Sequence, residues 1–182
     1  MLTDSMLPKK FREFEKECLA RNLPIVNRKR AEWLYNKVKE VKPRSILEIG
    51  TLNGYSGCIL GSQGAKLTTI ELETDKAEEA RVNFKKFRID AETIVGDGVE
   101  VVKNLVKRKE KFDLVFLDFA QRRYIEILEE CIKLVRKGGI VIADNILLPK
   151  CKEYLDAVKN HPKLKTEIIE ISQGLSCSQM IR

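Results

Sequence analysis

The chain has 182 residues, 43% hydrophobic and 34% charged, which supplies apolar material for one core and excludes a disordered segment; a single domain is expected. The longest apolar runs, such as Leu114 to Leu117 and Ile140 to Ala143, fall far short of the roughly 20 residues that cross a bilayer, and Met1 to Pro8 carries no secretory apolar region, so no membrane partner and a cytoplasmic chain are expected. Lys and Arg outnumber Asp and Glu by 34 to 27, a net charge of +7 that invites an anionic partner, while five scattered cysteines without a C-x-x-C pair predict buried thiols rather than disulfides or a zinc site.

In chain order, Phe11, Phe14, Cys18 and Leu19 recur at helical spacing and predict a short amphipathic helix. Pro24 separates it from a second helix over Arg28 to Val41. Beyond these, short β-rich runs alternate with helical segments, the mark of βαβ units around a parallel sheet. The predicted strands are Ser45 to Ile49, Lys66 to Leu72, Ala91 to Val95, Phe112 to Asp118 and Gly139 to Asp144. The predicted helices between and after them are Tyr55 to Ser62, Thr74 to Phe87, Gly98 to Lys109, Tyr124 to Val135 and Lys150 to Asn160, with Thr74 and Asp75 read as a capped start. Two final strands, Thr166 to Ile171 and Ser176 to Ile181, are close enough for an antiparallel hairpin. The fold class is therefore α/β: a mostly parallel seven-stranded sheet ending in an antiparallel hairpin, with helices on both faces. Residues 1–43 are read as a helical appendage and 44–182 as the main unit of one domain.

The most informative stretch runs from Ile46 through Glu48, Ile49, Gly50, Thr51, Leu52, Asn53 and Gly54 to Tyr55 and Ser56, a strand entering a glycine turn and then a helix. Leu52 stands where a dinucleotide fingerprint needs its second glycine, and no Gly-Lys-Ser/Thr ending follows, so NAD and nucleoside triphosphates are disfavoured. Glu71 ends the second strand 23 residues after Glu48, where a βαβ fold places the acid that accepts from ribose hydroxyls. Gly96, Asp97 and Gly98 put a further carboxylate at the same sheet edge, suited to an adenine amino group. Each feature alone reads as a tight turn or a strand cap; together they favour an adenosine-containing ligand.

This set, E-x-G-x-x-x-G-Y-S with the later Glu and the G-D-G turn, resembles the Rossmann-like class I S-adenosyl-L-methionine-dependent methyltransferases. It is similar in particular to the metal-dependent catechol and caffeoyl-CoA O-methyltransferases, from about Ile25 to the C-terminus. The resemblance implies that Glu48 and the turn Gly50, Thr51, Leu52, Gly54, Tyr55 and Ser56 hold the methionine end. It likewise assigns Glu71 and Leu72 to the ribose side, Gly96, Asp97 and Gly98 to the adenine, Asp118 and Phe119 to the cofactor edge, and Val26 and Asn27 to the cofactor carboxylate. Tyr55 reads equally as an aromatic buried against the sheet.

Two further strands end in Asp118 and in Asp144 with Asn145. Three oxygen-bearing side chains at adjacent strand ends suit a hard divalent cation such as Mg²⁺; on the residues alone, helix capping is as good a reading. The resemblance favours metal, because Asp followed 26 residues later by Asp-Asn is that family's pattern. It also implies a lysine general base three residues after the first metal Asp. The run here is Asp118, Phe119, Ala120, Gln121, Arg122, Arg123, Tyr124, and an amide has no useful basicity. Either the metal suffices beside Asp118, or Arg122 or Arg123 repositions an anionic substrate, or the acceptor is not a catechol, or catalysis is lost. Both arginines otherwise read as solvated residues at a helix start. Glu167 is a minor candidate for contact with the acceptor.

His161 before Pro162 is read as an exposed loop residue, Trp33 and Tyr35 as core packing, and Lys107 to Lys111 as a solvated helix end. The expected activity is metal-assisted methyl transfer to a small hydroxylated acceptor. The alternatives are a methyltransferase acting on RNA, at a hydroxylated tRNA base, and a cofactor-binding relative without turnover. Residues 1–45 hold twelve Lys and Arg against six acids, which keeps RNA in view, although a solvated helical face explains the same charge. A homodimer is compatible with this reading, and no residue pattern specifies one.

Overall fold

A computed structural model of the chain describes residues 7–182. Residues 1–6, part of the predicted appendage and of the reading of the N-terminus, lie outside the described residues. The first helix, α1 (Lys9–Ala20), buries Phe11, Phe14 and Cys18, but Leu19 is 56% exposed, because it sits about 100° around the helix from Cys18 and off the apolar stripe. Helix α2 (Arg28–Val41) starts at Asn27, whose side chain accepts the Arg30 N–H.

The alternation then runs β1 (Ser45–Ile49), α3 (Tyr55–Leu60), β2 (Lys66–Glu71), α4 (Thr74–Phe87), β3 (Ala91–Val95), α5 (Gly98–Lys107) and β4 (Phe112–Leu117). It continues through α6 (Leu128–Leu134), β5 (Val135–Asp144) and α7 (Lys152–Asn160) to the hairpin β6 (Leu164–Ile169) and β7 (Leu175–Met180). Two predicted elements differ. The helix expected from Tyr124 breaks into 3₁₀ turns at Gln121–Arg123 and Ile125–Ile127 before α6, since Tyr124 is drawn into the core and its hydroxyl donates to the Leu117 carbonyl at 3.1 Å. Strand β5 starts four residues early, because Val135 pairs with Phe112 before the ladder slips between Phe112 and Leu114. The cap of α4 is Glu73, without a side-chain hydrogen bond, rather than Thr74 or Asp75.

The sheet order is β3-β2-β1-β4-β5-β7-β6, parallel from β3 to β5 and antiparallel at β7 and β6. Alternation along the central strands divides the core. Leu47, Val115, Leu117 and Val141 face α5, α6 and α7. Ile46, Leu114, Phe116 and Ile142 face α1, α2, α3 and α4. The first two helices therefore belong to one of the two core layers. All five cysteines are buried and unpaired, and Trp33 and Tyr35 pack against the second layer. No helix among the described residues is long and apolar enough to cross a membrane.

Chain order reverses between β1 and β4, so the loops leaving their C-terminal ends diverge and open a crevice there. Phe14 of α1 packs on Tyr55 and Phe87 at centroid distances of 5.6 and 5.0 Å, close to the turn that enters this crevice. Phe14→Ala should lower unfolding free energy by about 3–5 kcal/mol in a single urea transition. A loss below about 1 kcal/mol would show that α1 contributes little to the common core.

Candidate active site

The turn after β1 is fixed by close backbone approach. Gly50 has φ +97°, and a Cβ there would lie 2.0 Å from the Asp118 carbonyl oxygen, so only glycine admits the β4 loop alongside. Gly54, at φ +86°, sits under the Phe84 ring. Leu52 also takes a positive φ, which turns its N–H onto Glu71 Oε2 at 2.7 Å, while the Glu73 N–H donates to Glu71 Oε1 at 3.0 Å. Two backbone donors thus hold the Glu71 carboxylate at the crevice wall, with lone pairs left for a ligand's hydroxyls.

Glu48 lies elsewhere. It projects from β1 on the α3 face, fully buried, accepting from Ser56 Oγ at 2.6 Å and Thr69 Oγ1 at 2.7 Å, and Thr69 is bonded in turn to Thr51. Burial pushes its carboxyl up to about 7, against the lowering effect of the two hydroxyls. Glu48 supports the turn from beneath and does not line the crevice. Asn27, the α2 cap, is also off the wall, with its Nδ2 donating to Ser172 Oγ at 2.7 Å, and Gly54 is behind it. The other residues assigned to the cofactor come together around one pocket of about 550 Å³: Val26, Thr51, Leu52, Tyr55, Ser56 and Gly50 on one side, Glu71, Leu72, Gly96, Asp97, Gly98 and Phe119 on the other. That volume suits a ligand the size of a nucleoside conjugate.

Asp97 caps α5, its Oδ1 accepting from the Val99 and Glu100 N–H groups at 2.9 and 3.2 Å. Arg123, expected to be solvated, instead donates from Nη1 to Asp97 Oδ2 at 2.6 Å, which holds that carboxyl below its usual range. Arg122 is exposed, as expected. Phe119 leans on Tyr124 at a centroid distance of 5.3 Å. His161 is half-buried beside Glu129 at 3.0 Å rather than loose in a loop, and Glu167 lies on β6 away from the pocket.

The deep end of the pocket gathers Asp118, Gln121, Asp144 and Asn145, as the strand ends predict. It also holds Arg30, which sequence reasoning passed over. Arg30 is 5% exposed, and its Nη1 donates to Asp144 Oδ1 at 2.5 Å, Asp144 Oδ2 at 2.6 Å and Asn145 Oδ1 at 2.6 Å. Burial, then the charge of Asp144, raises the Asp118 carboxyl, with Arg30 opposing; burial raises Asp144, again opposed by Arg30. A signal for Arg30 did exist: Arg28, Lys29 and Arg30 crowd the first turn of a helix, where positive charge opposes the dipole. The three expected donors do not fit a divalent cation as they stand, because two of them are turned onto the guanidinium. No group of three or more His, Cys, Asp or Glu among the described residues is arranged to hold a metal.

A seven-stranded sheet of this order with a nucleoside-sized pocket at its switch point defines a Rossmann-like methyltransferase fold. Residues 3–178 match the family model described as O-methyltransferase, and the chain belongs to that family. It is 32% identical over 166 residues to the catechol O-methyltransferase of Sus scrofa, covering 86% of this chain and 88% of that protein. It spans about half to two thirds of several other curated relatives. Its fold matches the Bacillus cereus O-methyltransferase in complex with SAH (TM-score 0.86, 23% identity, 98% of this chain and 94% of that one). It also matches a Streptomyces achromogenes O-methyltransferase involved in tomaymycin synthesis, in complex with SAM (TM-score 0.85, 21% identity, 98% and 92%).

The state of Glu48 gives this site a pH signature. Its carboxyl binds its proton more tightly folded, at about 7, than at the ordinary 4.5, so its contribution is fully present below the ordinary value and is lost as pH rises through about 7. Between about pH 5 and pH 8 the wild type should lose roughly 2–3 kcal/mol more stability than Glu48→Gln in urea titrations. Parallel losses in the two proteins would show that Glu48 is ionised when folded.

Proposed function

We propose that the chain is an S-adenosylmethionine-dependent O-methyltransferase acting on a small hydroxylated acceptor. The observation that carries this is the convergence of Glu71, held by two backbone donors, with the acidic strand ends Asp118 and Asp144 in one pocket at the sheet's switch point. Family membership and the SAH and SAM complexes of the structural neighbours support it. S-adenosylmethionine supplies its methyl group as a sulfonium, the acceptor oxygen forming the new C–O bond while the C–S electron pair returns to sulfur.

The chain's own residues orient that exchange. Glu71 suits paired ribose hydroxyls, and the Gly96 to Gly98 turn with Asp97 borders the adenine position. Phe119 and the exposed Leu72 give apolar faces for a flat base. Asp118 places a carboxylate where a cation would be stabilised. The metal assistance that the family resemblance implies is not carried by the donors here, since Arg30 engages Asp144 and Asn145, and the transfer is read without it. Gln121 lines the same end of the pocket and supplies no base. Two of the basic residues that kept RNA in view meet acids elsewhere in the fold, Arg21 with Glu79 and Arg30 with Asp144.

Calorimetry with S-adenosylhomocysteine should show micromolar binding, and Glu71→Ala should weaken it by about 10- to 100-fold, the loss of a charge-assisted hydrogen bond; no binding by the wild type overturns the proposal. Gln121→Lys should raise catechol methylation by about tenfold or more by restoring a base. An unchanged rate in a folded variant that binds S-adenosylhomocysteine would mean that a base is not what catechol turnover lacks.

A further inference from the structure

The contact made by Arg30 goes beyond a salt bridge. One nitrogen, Nη1, lies 2.5–2.6 Å from three oxygens of two side chains, a central position that the oxygens would otherwise offer to a metal ion. Mg²⁺ needs oxygen ligands at about 2.0–2.1 Å, and a nitrogen already at that centre leaves it no room. The arginine is not a loose surface chain that fell inward. Asn27 accepts its backbone N–H at 3.1 Å and donates to Ser172 at 2.7 Å, so the start of α2 is pinned to the loop before β7. The side chain is buried, its Nε fully so and without a partner in the protein, and the residue still lines the pocket.

Charge counting points the same way. Arg30 already balances the charge of Asp144. A divalent cation beside the guanidinium would add two positive charges to a buried site that the sulfonium also enters, which desolvation penalises heavily. Displacing Arg30 would in turn strip a buried carboxylate of its charge partner.

Resting on the methyltransferase reading above, we infer that Arg30 is the resident cation of this active site, standing in the place of a divalent metal, and that the acceptor arrives with an already ionised oxygen, such as an acidic phenolate. Methyl transfer then proceeds without metal. The ionised oxygen forms the C–O bond and the C–S pair returns to sulfur, so no proton has to move and Gln121 suffices where a neutral catechol would require a base. A guanidinium also needs no chelating pair of oxygens, so vicinal hydroxyls are not required of the acceptor.

The test uses the full chain and Mn²⁺ as probe, read by electron paramagnetic resonance, with calorimetry against S-adenosylhomocysteine as an independent check of the cofactor pocket. The wild type should bind no Mn²⁺ at the pocket. Arg30→Met should gain a site at least about tenfold tighter, and adding Asp144→Asn to it should abolish that site. Labelled-methyl turnover of an acidic monophenol by the wild type should survive EDTA within about twofold. Mn²⁺ binding by the wild type as tight as by Arg30→Met, or turnover abolished by EDTA and restored by Mg²⁺, overturns the inference. So does an Arg30→Met protein that binds S-adenosylhomocysteine but gains no Mn²⁺. If Arg30→Met does not fold, Arg30→Lys and the two wild-type arms decide. Loss of S-adenosylhomocysteine binding in the wild type would instead sink the methyltransferase reading, leaving the Mn²⁺ arms to judge Arg30 alone.

Discussion

Crowding of carboxylates at one edge of a buried parallel sheet is the constraint around which this molecule is arranged. A doubly wound sheet brings all its parallel strands to the same edge, and β1, β2, β4 and β5 carry Glu48, Glu71, Asp118 and Asp144 in or beside their last residues. In a low dielectric each must be neutralised, hydrogen-bonded or paired. The fold resolves them differently. Glu48 is buried between two hydroxyls with its proton held up to about 7. Glu71 is held by two backbone N–H groups, and Asp144 by Arg30. Asp118, raised by burial and by Asp144, is the least compensated of the four, and it faces the pocket. The most cation-hungry spot in the site is therefore the one left open to a ligand.

The two N-terminal helices follow from that arrangement. Their apolar stripes complete one layer of the core through Phe11, Phe14, Leu34 and Val38, while the turn between them brings Val26 and Arg30 to the pocket wall. Packing and electrostatics are served by the same short segment. A helix start that carries three basic residues would be unfavourable in isolation; it becomes favourable once Arg30 meets Asp144.

Much of this was legible in the sequence, and what was not has physical reasons. The ends of the first five strands stood out because each closes on a glycine or an acid, and all seven strands lie within a few residues of their predicted ranges. Helix α6 was misplaced at its start because the run from Gln121 to Ile127 has helical composition but is recruited by Tyr124 into 3₁₀ turns. Glu48 was placed at the methionine end by the family resemblance, whereas it stands behind the turn, bonded to Ser56 and Thr69. In β1 every residue from Ile46 to Ile49 is buried, so the alternation that would have revealed its direction is absent. Arg30 was missed because net charge was counted along the chain, where it joins a basic segment, and not in space, where it is the counter-ion of Asp144.

The two departures from the metal-dependent pattern that the sequence resembles are chemically linked. A metal lowers the pKa of a hydroxyl and a lysine takes its proton; together they make a neutral catechol nucleophilic. Here Gln121 replaces the lysine position and Arg30 fills the place of the metal. Losing one would impair a catechol enzyme, whereas losing both is consistent with an acceptor that arrives ionised. A guanidinium is permanently charged and rigidly directional; it can fix an anionic oxygen for in-line attack but cannot create one. On that inference, the specificity of the site rests on the acidity of a single hydroxyl and not on the geometry of two adjacent ones.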